Sequence, residues 1–302
     1  MEKERFVDAD RYRVSPKLSV KLSEWNTDYE GDRLNKETGT ALLESSRKEL
    51  AEVQEKLYAQ NRYSILIILQ AMDAAGKDSA IKHIMTGFSP IGVNVHSFKT
   101  PTAKELDHHY LWRHVLALPP RGEIAIHNRS HYENVLVTRV HPEYILNERI
   151  PGIDSIDKID KQFWKRRMKQ INQFEKTLAL NGTIILKFFL HVSKKEQKKR
   201  FLERIDDATK NWKFSLGDLR ERDHWEDYQR AYEKAISATS TKHAPWFIVP
   251  SDDKWYSRLV IAEAIAQQFQ NMHIEYPSLT AKEKEDLARG RAHLVAEDNT
   301  SD

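Results

Sequence analysis

The chain has 302 residues, 40% hydrophobic and 31% charged, with only 10 glycines and 10 prolines, which excludes collagen-like, low-complexity and disordered classes. Such a length gives one large domain or two ordinary ones. Its 48 basic and 45 acidic residues leave a net charge of +3, too little to define a general binder of nucleic acid or membrane, so an anion site must come from local clustering.

No cysteine is present, which rules out a disulfide framework, a thiolate nucleophile and a Cys-ligated zinc. Residues 1–34 are polar, lack sustained periodicity and read as an N-terminal arm. Residues 1–10 carry both signs of charge and lack the apolar run and cleavage site of a secretory leader. No stretch approaches the roughly 20 apolar residues that span a bilayer, so no membrane partner and a cytoplasmic location are expected.

Asn35 offers an N-cap, and Leu43, Leu50, Val53 and Leu57 fall on one face of a helix that ends near Asn61. Residues 63–70 (YSILIILQ) are instead continuously apolar and rich in β-branched side chains, the pattern of a strand covered on both faces. Further strands are predicted at 92–98, 123–127, 183–192 and 245–249. Helical patterns separate them at 79–87, 103–118, 132–140, 160–180, 194–208 and 223–237, and a last helix follows at 257–269. The alternation predicts an α/β fold, a doubly wound, five-stranded parallel sheet flanked by helices. After Pro277 the charge-rich tail reads as a peripheral helix or a mobile end.

The junction of the first strand with its helix, Gln70-Ala71-Met72-Asp73-Ala74-Ala75-Gly76-Lys77-Asp78-Ser79, reads as a phosphate-binding loop. In such a loop the backbone N–H groups of Ala74, Ala75 and Gly76 and the helix N-terminus face phosphate oxygens, while the lysine, here Lys77, reaches the outer phosphates. Gly76 and Lys77 match G-x-x-x-x-G-K-[ST]; Ala71 and Asp78 do not. Without the usual hydroxyl, metal binding must be organised differently. Asp73 is the nearest carboxylate, as a Mg²⁺ ligand or alternatively as a turn cap. A carboxylate inside an anion site repels phosphate unless a cation lies between them.

The third strand runs into Asn128-Arg129-Ser130-His131-Tyr132-Glu133, where a second acidic motif would be expected but Asn128 stands. Arg129 is placed either to clamp a transferring phosphoryl group or as a structural strand-end arginine. Basic residues then concentrate in Lys165-Arg166-Arg167, in Lys194, Lys195, Lys198, Lys199, Arg200 and Arg204, and in Lys210 and Lys213. The set suits a polyanion; the alternative is a solvated helix face. The 13 histidines show no metal-ligand spacing, so no zinc site is expected, and no G-x-S-x-G elbow is present.

Asp73-x-x-Gly76-Lys77-Asp78, Asn128-Arg129-Ser130-His131-Tyr132-Glu133, Ser193-x-x-Glu196-Gln197-x-x-Arg200-Phe201, Trp212-Lys213-Phe214-Ser215, Trp225-x-x-Tyr228 and Ala244-Pro245-Trp246 with Ser251-Asp252-Asp253-Lys254 together resemble the polyphosphate kinase 2 family over roughly residues 60–270. The resemblance implies a P-loop kinase-like fold with a helical lid, and Mg²⁺-dependent phosphoryl transfer between inorganic polyphosphate and nucleotides. It also implies a homo-oligomer, a dimer or tetramer, with no nucleic-acid partner. In these terms residues 1–60 are arm and helix, 61–277 the catalytic domain with its lid at about 194–222, and 278–302 the tail.

Carried onto this chain, the family's loop lysine, loop aspartate and strand-end arginine fall on Lys77, Asp73 and Arg129. The family's basic lid positions fall on Arg200, Arg204 and Lys213, and Ala74, Ala75, Gly76, Asp78, Asn128 and Arg166 are the further expected substrate contacts of this chain. Asn128 and His131 stand where most members have Asp and Trp, a departure resembling the subgroup that phosphorylates both AMP and ADP, yielding ADP and ATP. An ATP-dependent nucleoside monophosphate kinase shares the expected fold, but Ala71, Asp78 and the large cationic set argue against it. A non-catalytic polyanion- or RNA-binding protein would not need Asp73 in the loop.

Overall fold

The computed structural model of the chain describes residues 7–31, 34–272 and 274–298. Strand β1, Ser64–Ala71, is buried at all eight positions. It lies in the middle of one parallel sheet, between β3 (Ile124–Asn128) and β4 (Thr183–His191), with β2 (Val93–Ser97) outside β3 and β5 (Trp246–Pro250) outside β4. Continuous burial, where one-sided sheets alternate, is what a strand with covered faces and two hydrogen-bonded neighbours requires. The five predicted strands are all present, each within a few residues of its expected span.

Helix α1, Lys36–Gln60, starts at a capping box between Asn35 and Thr38 and stops at Asn61, which turns the chain in the left-handed region at φ 49°. Leu43, Leu50 and Leu57 are buried, and α1 packs along α7, Lys254–Gln270. Between them in sequence come α2 (Lys77–Met85), α3 (Lys161–Leu180), α4 (Lys194–Asp206), α5 (Leu216–Asp223) and α6 (Trp225–Thr239). Side chains of Asp160 and Ser193 cap α3 and α4. The tail forms α8, Ala281–Asp298, an exposed helix. Among the described residues no helix is long and apolar enough to cross a membrane.

Three local expectations are corrected. The described part of the arm does not hang free: Val7, Ala9, Val14, Val20 and Leu22 are buried, and Val14 donates to the Trp246 carbonyl at 2.8 Å, bordering β5. These apolar residues follow neither a helical nor a strand period, which is why the segment looks featureless in sequence. The single helix expected at 103–118 is two one-turn helices, Ala103–Leu106 and Trp112–Val115, and the one expected at 132–140 is a 3₁₀ turn, His131–Asn134, followed by Val137–Val140. Crowded β-branched residues, Val135, Val137 and Val140, weaken the latter. The unpredicted α5 is short and charge-rich, with Gly217 inside it, so it presents no apolar stripe.

A charged pair lies in the core. Lys187 of β4 and Glu175 of α3 are both fully buried and 2.6 Å apart. The lysine also donates to Tyr132 Oη and to the Thr239 carbonyl, and Glu175 accepts from Tyr132. With these partners filled the pair is tolerated; a lone member is not. Lys187→Met, which strands Glu175, should destabilise the fold by ~3–5 kcal/mol in chemical denaturation. The double change Lys187→Met/Glu175→Leu should recover most of that loss.

Candidate active site

The register of the sheet brings the predicted loop and the predicted strand end together. Leu69 lies opposite Asn128, so β1 and β3 finish side by side, and the chain leaves both at the carboxyl edge of the sheet. This edge, next to the central strand from which the order departs in both directions, is where open α/β sheets bind ligands. Two non-glycine residues here adopt the left-handed conformation, Ala74 (φ 58°) and Arg129 (φ 64°), beside Gly76 (φ 105°). Each non-glycine case costs about 1–2 kcal/mol, strain of the kind held at binding sites.

Lys77 opens α2, and its ammonium folds back to donate to the Ala71 carbonyl at 2.9 Å and the Met72 carbonyl at 3.4 Å. Burial pushes its pKa down, and the nearby Arg129 guanidinium pushes it further, with Asp73, Glu133 and Asp78 opposing. An arriving phosphate would relieve that pressure by adding the negative charge the ammonium lacks. Arg129 donates to Asp73 Oδ1 at 3.2 Å and lies 3.6 Å from Glu133 Oε2. Glu133 first, and then Asp73, hold the guanidinium pKa above its ordinary value against the effect of burial. Asn128 donates to Asp78 Oδ1 at 2.9 Å. Asp73, Asp78, Asn128, Lys77 and Arg129 therefore form one connected cluster at the loop, and Lys213 reaches it at 4.0 Å from Asp78.

Arg200 has a different place from the one expected of it. Its side chain is only 4% exposed, and it donates to the Ala75 carbonyl at 2.8 Å, the Ser251 carbonyl at 2.6 Å and the Asp252 carbonyl at 2.8 Å. It ties the loop to the turn after β5 through their carbonyls, so it positions the loop. The reason is the helix period: Glu196, Gln197 and Arg200 share the face of α4 turned to the loop, with Glu196 accepting from Arg200 at 2.9 Å. Arg204 pairs with Asp218 of α5 at 3.3 Å. Burial raises the Asp218 pKa and the nearby Asp73 adds to the rise, which puts this pair beside the cluster. Arg166 is not brought in: it lies on the exposed face of α3 with no hydrogen bond or ion pair among the described residues.

Sequence reasoning named Gln197 within a motif but gave it no role, and missed Arg258 of α7; the Gln197 amide donates to the Asp73 carbonyl at 2.9 Å and Arg258 donates to Ser79 Oγ at 2.6 Å. The spacing of Gln197 from Arg200, three residues on a helix, was the available signal for the first. Nothing local marks Arg258, because α7 follows the last strand.

The donor set fits a hard divalent cation. Asp73, Asp78 and Asn128 offer oxygens only, and a Mg²⁺ ion takes one or two carboxylates and fills its other positions with phosphate oxygens and water. Among the described residues no cluster of three His, Asp or Glu stands ready to hold a metal unaided.

A sheet of this order with a Gly-Lys loop on its central strand defines the class of P-loop kinase-like phosphotransferases. Comparison with known proteins narrows it. A sequence model of the polyphosphate kinase 2 family matches residues 33–277. The chain is 44% identical to the ADP-polyphosphate phosphotransferase of Rhodopseudomonas palustris, over 96% of its own length and 99% of the relative's. It is 40% identical to the AMP/ADP-polyphosphate phosphotransferase of Meiothermus ruber, over 91% of this chain and 98% of that one. The crystal structure of polyphosphate kinase 2 from Arthrobacter aurescens superposes with a TM-score of 0.82 at 36% identity, covering 93% of this chain and 96% of that one. The chain belongs to the polyphosphate kinase 2 family.

Two buried histidines, His114 and His127, lie with their ring centroids 6.3 Å apart. His127 precedes Asn128, contacts the Ala117 carbonyl through Nε2 at 3.0 Å and is pushed down to a pKa of about 4 by burial. His114 is lowered further by burial and by its neighbours His131, Arg113 and His127. Folding therefore keeps these rings neutral, while the unfolded chain protonates near the ordinary value of 6.5. The stability they allow is complete above pH 6.5 and falls as pH drops from there towards 4, by ~3 kcal/mol for His127 alone. Thermal unfolding should show the midpoint dropping over that window. His114→Leu, which removes a ring packed 4.2 Å from Phe98, should flatten the slope.

Proposed function

We propose that this chain transfers phosphoryl groups from inorganic polyphosphate to AMP and ADP, giving ADP and ATP, with Mg²⁺ as the cation. The observation that carries the reading is the Asp73–Arg129 pair at 3.2 Å, set over the Gly76-Lys77 loop at the β1–β3 edge, in a chain matched to the family over residues 33–277. The names of the two relatives, one acting on ADP and one on AMP and ADP, support the acceptors. An ATP-dependent monophosphate kinase and a passive polyanion binder are both less well supported.

In the reaction a terminal phosphate oxygen of the acceptor attacks the end phosphorus of the polyphosphate chain. A new P–O bond forms, the bridging P–O bond behind that phosphorus breaks, and the chain leaves one phosphate shorter. No covalent bond to the enzyme is required. Backbone N–H groups at the start of α2 face the phosphates, because the first helical turn leaves them without partners. Lys77 and Arg129 neutralise charge on the phosphoryl group in flight, and Arg129 leaves Asp73 to do so. Asp73 and Asp78 would hold Mg²⁺, which supplies further charge neutralisation when bound. Arg200 and Gln197 hold the loop's carbonyls, so its shape exists before substrate arrives. We assign residues 194–222, carrying Arg204 and Lys213, to a lid, and assembly into a homo-oligomer to the same reading.

Purified protein given Mg²⁺, long-chain polyphosphate and AMP or ADP should form ADP and ATP, followed by chromatography, and should form none from AMP plus ATP without polyphosphate at a comparable rate. Lys77→Met should lower kcat by ~10²-fold or more while circular dichroism and the unfolding midpoint stay near wild type. Wild-type turnover in that variant would remove Lys77 from the mechanism.

A further inference from the structure

A groove of about 590 Å³ runs between α3 and α6 on the flank of the sheet. Its walls carry five cations, Arg139, Lys161, Lys165, Lys169 and Lys234, and no carboxylate is among its lining residues. None of the five takes part in an ion pair among the described residues, unlike Arg204 or Arg129. Like charges gathered with no counter-charge repel one another, and the arrangement is stable in proportion as an anion joins it. The floor is apolar, with Trp164 and Met168 nearly buried, and such a wall concentrates the field of the lysines into the groove.

The shape of the charge identifies the anion. Lys161, Lys165 and Lys169 recur every fourth residue along α3, making a row about 12 Å long. A row suits a linear polyanion, where a compact phosphate would need convergent donors. Nucleic acid is disfavoured because the Trp164 ring is nearly buried and carries the Arg139 guanidinium over it at 4.8 Å, so it offers no open face for a base to stack on. Topology sets the direction. α3 ends just before β4 begins, so it runs against the strands and its first turn, with Lys161, lies at the carboxyl edge that carries the loop.

We propose that this groove is a second polyphosphate site, holding the distal part of a long chain while its end occupies the loop; this rests on the polyphosphate-dependent activity argued above. The test is Lys161→Gln/Lys165→Gln/Lys169→Gln, all at exposed positions, assayed with ADP and either long-chain polyphosphate or tripolyphosphate. The KM for the long chain should rise about tenfold and become less sensitive to salt, with kcat and the tripolyphosphate KM unchanged. A long-chain KM and salt slope equal to wild type would overturn the proposal. Loss of single-stranded RNA binding with long-chain kinetics intact would overturn it too, and would give the groove to nucleic acid. Equilibrium binding of long-chain polyphosphate without nucleotide reads the groove independently of turnover. An inactive wild type would thus refute the activity, while equal binding by wild type and variant would refute the groove.

Discussion

Everything at the candidate site depends on the confinement of β1. Its eight residues are buried throughout and hydrogen-bonded to strands on either side, so the chain can change direction only where the strand ends. At that end the backbone must turn within five residues into α2, and it does so through left-handed conformations at Ala74 and Gly76. The same register brings the end of β3 level with it, and Arg129 makes its own left-handed turn there, its N–H donating to the Leu69 carbonyl at 3.0 Å. A guanidinium and a carboxylate from segments 56 residues apart are thereby set within hydrogen-bond distance.

A loop that presents N–H groups to an anion leaves carbonyls pointing the other way. In this protein those carbonyls are met by side chains of α4: Gln197 at Asp73, and Arg200 at Ala74 and Ala75. Arg200 continues to the carbonyls of Ser251 and Asp252, so one buried guanidinium joins the loop after β1 to the turn after β5. A buried cation fixed on these carbonyls shapes the chemistry, because phosphoryl transfer relies on donors fixed before the substrate binds. It also couples the site to α4, the first element of the assigned lid.

Helix α3 carries opposite duties on its two sides. Its inner face supplies Glu175 to the buried lysine of β4, where complete hydrogen bonding makes charge tolerable. Its outer face carries lysines that have no such partners and whose charge is left to the solvent and to anions. Burial separates the two kinds of lysine: Lys187 is fully enclosed, whereas Lys161, Lys165 and Lys169 are exposed.

Much of the fold was legible in the amino-acid sequence. The short apolar run before Asp73 had the pattern of a strand covered on both faces, and the Gly-Lys pair after it pointed to an anion loop, because hydrophobic period and backbone freedom are local properties. The ordered motifs from Asp73 to Lys254 carried the family. What the sequence could not decide was which cations face substrate. Arg200 and Arg166 are both helical arginines in basic runs, yet one is buried against carbonyls and the other lies on an open surface. The arm likewise looked featureless until Val14 met Trp246 across more than two hundred residues. Those outcomes are set by packing between segments distant in the chain, and only the tertiary structure determines which groups lose water and which keep it.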